Sequence, residues 1–451
     1  MDVLSTVANL LSPPLRPIDR VLSPVQGFLR HRLAGAALLM LATAAAVIIA
    51  NSPLAHTYHH ILDIHLKLDL GVLVLDYSVH HWINDGLMSV FFFLVGLEIK
   101  RELMVGELST LRKATLPAIA ALGGMLVPAG VYALFNSGTP TAGGWGIPMA
   151  TDIAFALGVL ALLGDRIPLG VKVFLTALAI VDDIGAVLVI AVFYTSEIDL
   201  TALMVAFAVL AVAMYMNKLD VRNTLVYSFL GLVVWTAFLK SGVHATIAAI
   251  LMAFTIPATT RINGKDFIVR VELITARLKA IGLPKDTRMN SDEQQHAIAA
   301  MDETIEHAQA PLQRIEHDLH GSVTFVILPI FALANAGVTL EGNLVESLTS
   351  SLALGIILGL LFGKQIGITL ATWLAVKLKV ADLPAGVTWR QIHGANILAG
   401  IGFTMSLFVA NLAFTDPLHI AESKIGILTG SIVSGIIGYL FLSGSSDKDE
   451  G

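Results

Sequence analysis

The sequence predicts an all-α polytopic membrane protein of about twelve transmembrane helices, built from inverted-topology repeats with two interrupted helices. Three observations predict it. The 451 residues are 55% hydrophobic and only 14% charged, with mean hydropathy +0.78, which soluble chains of this size rarely reach. Apolar runs long enough to cross a bilayer recur along the chain. Lys and Arg gather in alternate loops.

The run that organises the rest is Pro168–Tyr194, apolar except for Asp182 and Asp183 near its middle. At 1.5 Å rise per residue it is about 40 Å long, enough to span. The two acids then fall near the bilayer midplane, where each ionised Asp costs roughly 2.5–3.5 kcal/mol on insertion scales. Placing them in a solvated loop would split the run into halves too short to cross, and no Gly-Pro turn divides it. They read as functional intramembrane carboxylates.

The other elements follow in order. Residues 1–31 form a polar lead broken by Pro13, Pro14, Pro17 and Pro24, with a short amphipathic helix near Pro24–Leu29 and no signal-peptide pattern. The first span is about Leu33–Ala50. Leu66–Tyr77 partly alternates and is rich in Leu and Val, which favours a short β-hairpin over a span, with an irregular loop as the alternative. The second to fourth spans are about Trp82–Lys100, Ala114–Phe135 and Gly146–Leu163, and the organising helix is the fifth. The sixth to eighth are about Leu200–Met216, Thr224–Leu239 and Val243–Ile256. Residues 258–321 then hold many of the chain's charges and read as a helical insertion without a core of its own. Within it Gly282 and Pro284 close one helix, and a capping box at Ser291–Gln294 opens the next. Spans resume at about Val323–Val338, Ser351–Val376, Gln391–Ala413 and Ile425–Leu442, within residues 322–443, and residues 444–451 form a short acidic tail.

One set of loops carries Arg30/Arg32, Arg101/Arg112/Lys113, Arg166/Lys172, Lys218/Arg222, the insertion, and Lys377/Lys379/Arg390. The alternate set holds little beyond Lys67, Lys240 and Lys424. By the positive-inside rule both termini and the insertion are cytoplasmic. The alternation holds at every crossing only with about twelve helices.

Composition excludes several classes. There is no cysteine, so disulfides, thiolate metal sites and Cys nucleophiles are out. No dinucleotide fingerprint or Walker A motif is present, which argues against a nucleotide-driven pump. Net charge is −6 with no dense basic run, so nucleic acid is not a partner.

Asp152, Asp182, Asp183 and Lys364 fall near mid-depth in three spans. A buried Lys needs a partner, and these acids are the nearest in depth. A fixed salt bridge alone leaves more acids than bases. The fourth and eleventh spans are interrupted, by Gly146-Ile-Pro148 before Thr151-Asp152 and by Gly400-Ile-Gly402 before Thr404. Each is the middle of a three-helix group, and the groups are offset by an odd number of spans, so their topologies are inverted. That pattern points to a transporter site at the midplane. There Asp152 can neutralise half-helix N-termini and Lys364 half-helix C-termini. Paired carboxylates are hard oxygen ligands, suited to sodium, lithium and protons. An Asp of ordinary pKa, about 3.9, carries no proton at pH 7, but carboxylates buried side by side titrate higher. Such a site holds either a cation or protons, and alternating access turns that competition into antiport.

The segments GWGIPMATDIAFALGVLALLGDRIPL, LTALAIVDDIGAVLVIAVFY, FLKSGVHATIAAI and LAGIGFTMSLFVANLAF closely resemble the NhaA-type sodium/proton antiporters, as do VFFFLVGLEIKRELMVGEL and ILPIFALANAGV. The similarity runs from about residue 30 to 443. That family is itself a standard example of inverted repeats, so the two expectations are not independent. The resemblance implies twelve helices, with the fourth and eleventh unwound and crossed. It implies that Asp182 and Asp183 bind the transported sodium and the protons. It places Asp152, Thr151 and Lys364 at the crossing, with Lys364 able to pair with Asp182. Glu98, Arg101, Glu102 and His244 match positions tied to pH response, and Glu316 is the one alignable position in the insertion. It further implies electrogenic exchange of sodium or lithium for protons, serving cytoplasmic pH and sodium homeostasis. It implies a homodimer joined through the hairpin, a place in the lipid of the bacterial inner membrane, and no cofactor. Two departures stand out: the insertion is longer than the family pattern, and Gln365 follows Lys364 where that pattern has Pro.

Three rival readings are weaker. An intramembrane aspartyl protease would carry Tyr-Asp and Gly-x-Gly-Asp, whereas the acids here read Val-Asp-Asp-Ile. A cation channel would use a ring of acids or a carbonyl filter. A proton-coupled metabolite carrier would need a larger polar cavity.

Overall fold

The structure is a computed structural model of the chain and describes residues 33–69, 71, 74–195, 198–282, 291–339 and 344–444. The expected amphipathic helix near Pro24–Leu29, Pro284 and nearly all of the acidic tail lie outside the described residues. The chain is helical almost throughout. Helices α1 (Ala34–Ala50) and α2 (Ala55–Asp63) meet at 111°. Strands β1 (His65–Asp69) and β2 (Val74–Ser78) then pair antiparallel, with His65 opposite Ser78 and Asp69 opposite Val74. The expected hairpin is present, with β1 fully exposed.

The spans follow as α3 (Val79–Val105), α4 (Leu111–Asn136), a 3-10 helix (Ala142–Met149) leading into α5 (Ile153–Leu162), α6 (Leu169–Phe193), α7 (Leu200–Lys218), α8 (Thr224–Ser241) and α9 (Ala245–Thr255). Helices α10 (Gly264–Ile281) and α11 (Asp292–Ala308) form the insertion. Next come α12 (Pro311–Asn335), the short α13 (Leu344–Thr349), α14 (Ser351–Lys377), α15 (Trp389–Leu398), α16 (Phe403–Ala413) and α17 (Pro417–Ser443).

Among the described residues nine helices are long and apolar enough to cross a membrane, or eleven if each bent pair counts as one span. The sequence predicts twelve. The eighth expected span emerges as α9, whose 11 residues reach only about 16 Å. The ninth is longer than expected: α12 is continuous from Pro311 through a π-helical turn at Val323–Ile327. The predicted boundary at 321/322 therefore falls inside a helix, because proline at the first turn starts α12 early.

Caps set many of these ends. The Asp199 carboxylate accepts from Thr201 N at 2.8 Å, and Asn223 Oδ1 from Leu225 N at 2.9 Å. The capping box of Ser291 and Gln294 is formed, and Gly282, at φ +81°, ends α10 in a backbone region that favours glycine. The insertion buries little: α10 has no buried residue and α11 only Ala297 and Thr304. Its root is fastened by Arg314 to Glu306 at 2.5 Å. The Arg314 guanidinium holds the Glu306 carboxyl below the usual carboxylate range. That pairing is present above the ordinary pKa and is lost as pH falls through the lowered one.

Two apolar clusters fill the interior. The larger runs through α3 to α6 and α14 to α17, and the smaller joins α7, α8 and α9 to the end of α3 and the start of α12. Close backbone approach draws α14 onto α4. A Cβ on Gly363 would lie 2.7 Å from Pro128 Cα, so only glycine fits there. Small residues at such contacts are how membrane helices pack tightly. This contact fixes the depth of Lys364, the next residue. Where Gln365 replaces the expected proline, a π-helical turn at Gly359–Gly363 irregularly winds α14 instead.

Candidate functional site

The site is built where two interrupted helices cross. The fourth span breaks between the 3-10 helix and α5, and the eleventh breaks between α15 and α16, which meet at 45°. Pro148 stops the first and the pair Gly400 and Gly402 the second. Broken helices at membrane depth leave backbone groups that must find partners. Here they find each other: Asp152 N donates to Ile401 O at 2.7 Å, Thr151 Oγ1 to Ala399 O at 3.0 Å, and Ser406 Oγ to Ile147 O at 2.7 Å.

Asp152 caps both outgoing half-helices. It is the N-cap of α5, accepting from Phe155 N at 3.0 Å, and it accepts from Thr404 N at 3.1 Å and Thr404 Oγ1 at 2.5 Å in the first turn of α16. Its charge thus faces the positive ends of two helices. Lys364 lies on the opposite side of the break. Its Nζ donates to the carbonyl of Met149, the last residue of the 3-10 helix, and to Asp182 Oδ2 at 2.7 Å. Both side chains of this ion pair are almost wholly buried, at 1% and 3% exposure.

Asp182 and Asp183 are adjacent on α6 and both buried. Consecutive helical residues diverge by about 100°, so the two carboxylates look in different directions. Asp182 turns to Lys364 of α14, and Thr151 also lies within its range. Asp183 is surrounded electrostatically by Asp182, Glu98 of α3, Asp152 and Lys364. Asp182 Oδ1 has no hydrogen-bond partner.

The remaining candidate residues separate into two places. Glu98, Arg101 and Glu102 line the last turns of α3, where Arg101 pairs with Glu316 of α12 and with Glu102 at 3.2 Å. Glu98 lies within electrostatic reach of both that group and Asp183. His244 is not with them. It sits before the first turn of α9, towards the other end of α3, with Nδ1 3.5 Å from Asp85 Oδ1.

Sequence reasoning missed several neighbours. His81 Nε2 lies 3.1 Å from the same Asp85. Buried Asn335 accepts from Asn411 at 2.7 Å, faces His80 at 3.0 Å, and donates to Asn84 at 2.8 Å, tying α12 to α16 and α3. Gln365 meets His393 at 2.8 Å, and Asn396 donates to Thr369 at 3.0 Å. The signal was present, since each is a polar side chain inside an apolar span, but spacing alone does not say which of them meet.

Comparison with known proteins is decisive on the family. The model of the family described as Na+/H+ antiporter 1 matches residues 26–442. The Na(+)/H(+) antiporter NhaA of Oleidesulfovibrio alaskensis is 50% identical over 433 residues, covering 95% of each chain. NhaA of Escherichia coli O1:K1 / APEC is 47% identical over 419 residues, covering 92% of this chain and 96% of its own. NhaA 1 of Saccharophagus degradans is 46% identical over 429 residues, covering 95% and 92%. With these matches and its many apolar helices, the chain is a multi-pass membrane protein and belongs to the Na+/H+ antiporter 1 family.

Proposed function

We propose that the chain is an electrogenic antiporter that exchanges sodium or lithium for protons by alternating access, with both ligands competing for Asp182 and Asp183. One observation carries this reading: two adjacent carboxylates are buried mid-helix beside a crossing of broken helices, and the buried Asp182 Oδ1 has no hydrogen-bond partner. Asp152 and Lys364 compensate the helix ends and keep the crossing from needing an ion there. Among the described residues no group of three His, Cys, Asp or Glu is placed to hold a metal. A cation beside the pair would complete its shell with backbone carbonyls, hydroxyls or water, the oxygen ligands that suit sodium. Two carboxylates releasing two protons for one sodium move net charge, hence electrogenic exchange. The task served is cytoplasmic pH and sodium homeostasis.

The group of Glu98, Arg101, Glu102 and Glu316 is the pH-responsive entrance in this reading, and Glu98 links it to Asp183. His244 with Asp85 forms a second, separate responsive site. The exposed hairpin, with Leu66 and Leu68 about half exposed, supports a homodimer contact, since an unpaired strand edge invites a second copy.

The test is reconstitution. In proteoliposomes holding a proton gradient, added sodium or lithium should dissipate the gradient with no organic substrate present. A membrane potential should change the rate. A gradient that stays intact until an organic solute is added would overturn the reading in favour of a metabolite carrier.

Sidedness is part of the proposal. The Lys and Arg bias puts the termini and residues 258–321 on the cytoplasmic face of the inner membrane, and residues 136–145 outside. Ser137 is exposed at the end of α4, and the chain has no cysteine. Ser137→Cys should therefore react with an impermeant maleimide added to intact cells stripped of outer membrane. Reaction only from the cytoplasmic side would refute the topology.

A further inference from the structure

The insertion carries a surface that the transport cycle does not use. On α10, Phe267, Val271, Ile274 and Leu278 form a stripe spaced i, i+4, i+7, i+11, half-buried against α11. A second apolar stripe, Val269, Leu273, Ala276 and Ala280, has the same spacing, and all four are exposed. At 100° per residue it lies about 160° round the helix from the first. Val269 is 54% and Leu273 65% exposed. Arg270 and Arg277 run along one edge of this stripe with Asp266, and Lys265 and Lys279 along the other with Glu272, so each edge is net positive.

Charge is segregated between the two helices. Residues 264–281 hold four Lys or Arg against Asp266 and Glu272. Residues 292–308 hold five acids and no Lys or Arg. The root of the pair is stapled at the level of the helix ends: Arg261 N donates to His307 O at 2.9 Å, and Leu312 N to Pro257 O at 3.1 Å. Beside that root, Leu225 at the start of α8 is 77% exposed.

A helix facing water on its free side would be polar there. An apolar stripe between edges that are each net positive is instead the pattern of a helix lying in a membrane interface. We infer that α10 docks on the anionic lipid surface of the bilayer beside its own spans. Val269 and Leu273 enter the acyl boundary, and the four basic side chains meet lipid phosphates. Acidic α11 is repelled by the same surface and faces the water. A second copy is the weaker occupant, because two α10 stripes face to face would crowd eight basic side chains. The inference rests on the sidedness proposed above, since the cytoplasmic leaflet is the one expected to present acidic lipid to the insertion.

The test uses the full chain with single-cysteine substitutions Leu273→Cys and Asp302→Cys, each carrying a nitroxide. Asp302 is exposed on α11. Collision with oxygen, which concentrates in lipid, is compared with collision with a water-soluble nickel chelate. Vesicles are phosphatidylcholine with or without phosphatidylglycerol. With phosphatidylglycerol, the oxygen-to-nickel ratio at Leu273→Cys should rise severalfold while that at Asp302→Cys stays low. Adding Arg270→Glu and Arg277→Glu should remove the rise. A ratio at Leu273→Cys as low as at Asp302→Cys in both lipids would overturn the inference. So would shielding that ignores lipid charge and disappears on dilution to one copy per vesicle, which would assign the face to a second copy. Labelling of Leu273→Cys by an impermeant maleimide from outside the cell would instead sink the sidedness, and is read separately.

Discussion

Asp183→Asn is expected to abolish sodium-dependent exchange in a chain that still folds and inserts. Asparagine keeps the shape of the side chain but removes one charge and one titrating group. Asp183 is 3% exposed, and the isosteric amide fits the same buried space. A charge-assisted contact is worth roughly 1.5–3 kcal/mol, so sodium affinity should fall about tenfold to a hundredfold at least. The melting temperature should hold or rise, because the variant relieves repulsion among Asp182, Asp183 and Glu98. Retained exchange with unchanged sodium affinity would remove Asp183 from the site.

The same competition fixes how the unaltered protein responds to pH. Where protons occupy the pair, sodium must displace them. The apparent KM for sodium should then rise about tenfold per pH unit for each proton displaced. Two interacting carboxylates titrate as a pair, so the slope belongs to the pair and not to Asp182 or Asp183 separately. The maximal rate should change much less. Exchange measured in proteoliposomes from mildly acid to mildly alkaline pH, at several sodium concentrations, separates the two. A constant KM with a falling maximal rate would move pH control away from the pair, to Glu98 and Glu102 or to His244.

Much of this was legible because the bilayer leaves few choices. A run such as Leu169–Phe193 can only be a membrane helix, and a charge inside it can only be paired or functional. That Lys364 needs an acid, and that Asp152 can face helix N-termini, followed from depth and sign; that the acid is Asp182 was implied only by the family resemblance. Helix ends were less legible. Nothing in hydropathy says that α12 starts at Pro311, because its first turns are polar yet helical. Nor does hydropathy show that α9 is short, since Val243 and Ile256 are apolar but lie outside the helix. Lateral neighbours were not legible at all. His244 reaches Asp85 from α9, far away in sequence, and Asn335 meets Asn84 and Asn411 across three helices. Those contacts depend on helix rotation, which periodicity cannot fix in helices that are apolar all round.

Lys364→Ala is expected to lower stability and to move the pH profile of exchange together. The Lys364 ammonium is 1% exposed and joins three elements: α14 that carries it, the Met149 carbonyl that ends the 3-10 helix, and Asp182 of α6. Removing one partner of a buried ion pair costs roughly 3–5 kcal/mol when the other charge is stranded. Asp182 can escape part of that cost by taking up a proton, since a carboxylate without its cation holds protons more tightly. Sodium then competes against a proton that is harder to displace, and half-maximal exchange should move to more alkaline pH. The Met149 carbonyl has no such escape, so part of the loss is pure structure at the crossing. Its signature is a melting temperature several degrees lower that adding Asp182→Asn does not restore. Lys364→Arg should recover more stability than activity, because a planar fork cannot occupy the space of a compact ammonium. The check is thermal unfolding in detergent alongside exchange across the pH range for all three variants. An unchanged melting temperature with an unchanged pH profile would leave the Lys364–Asp182 pair without a role in either.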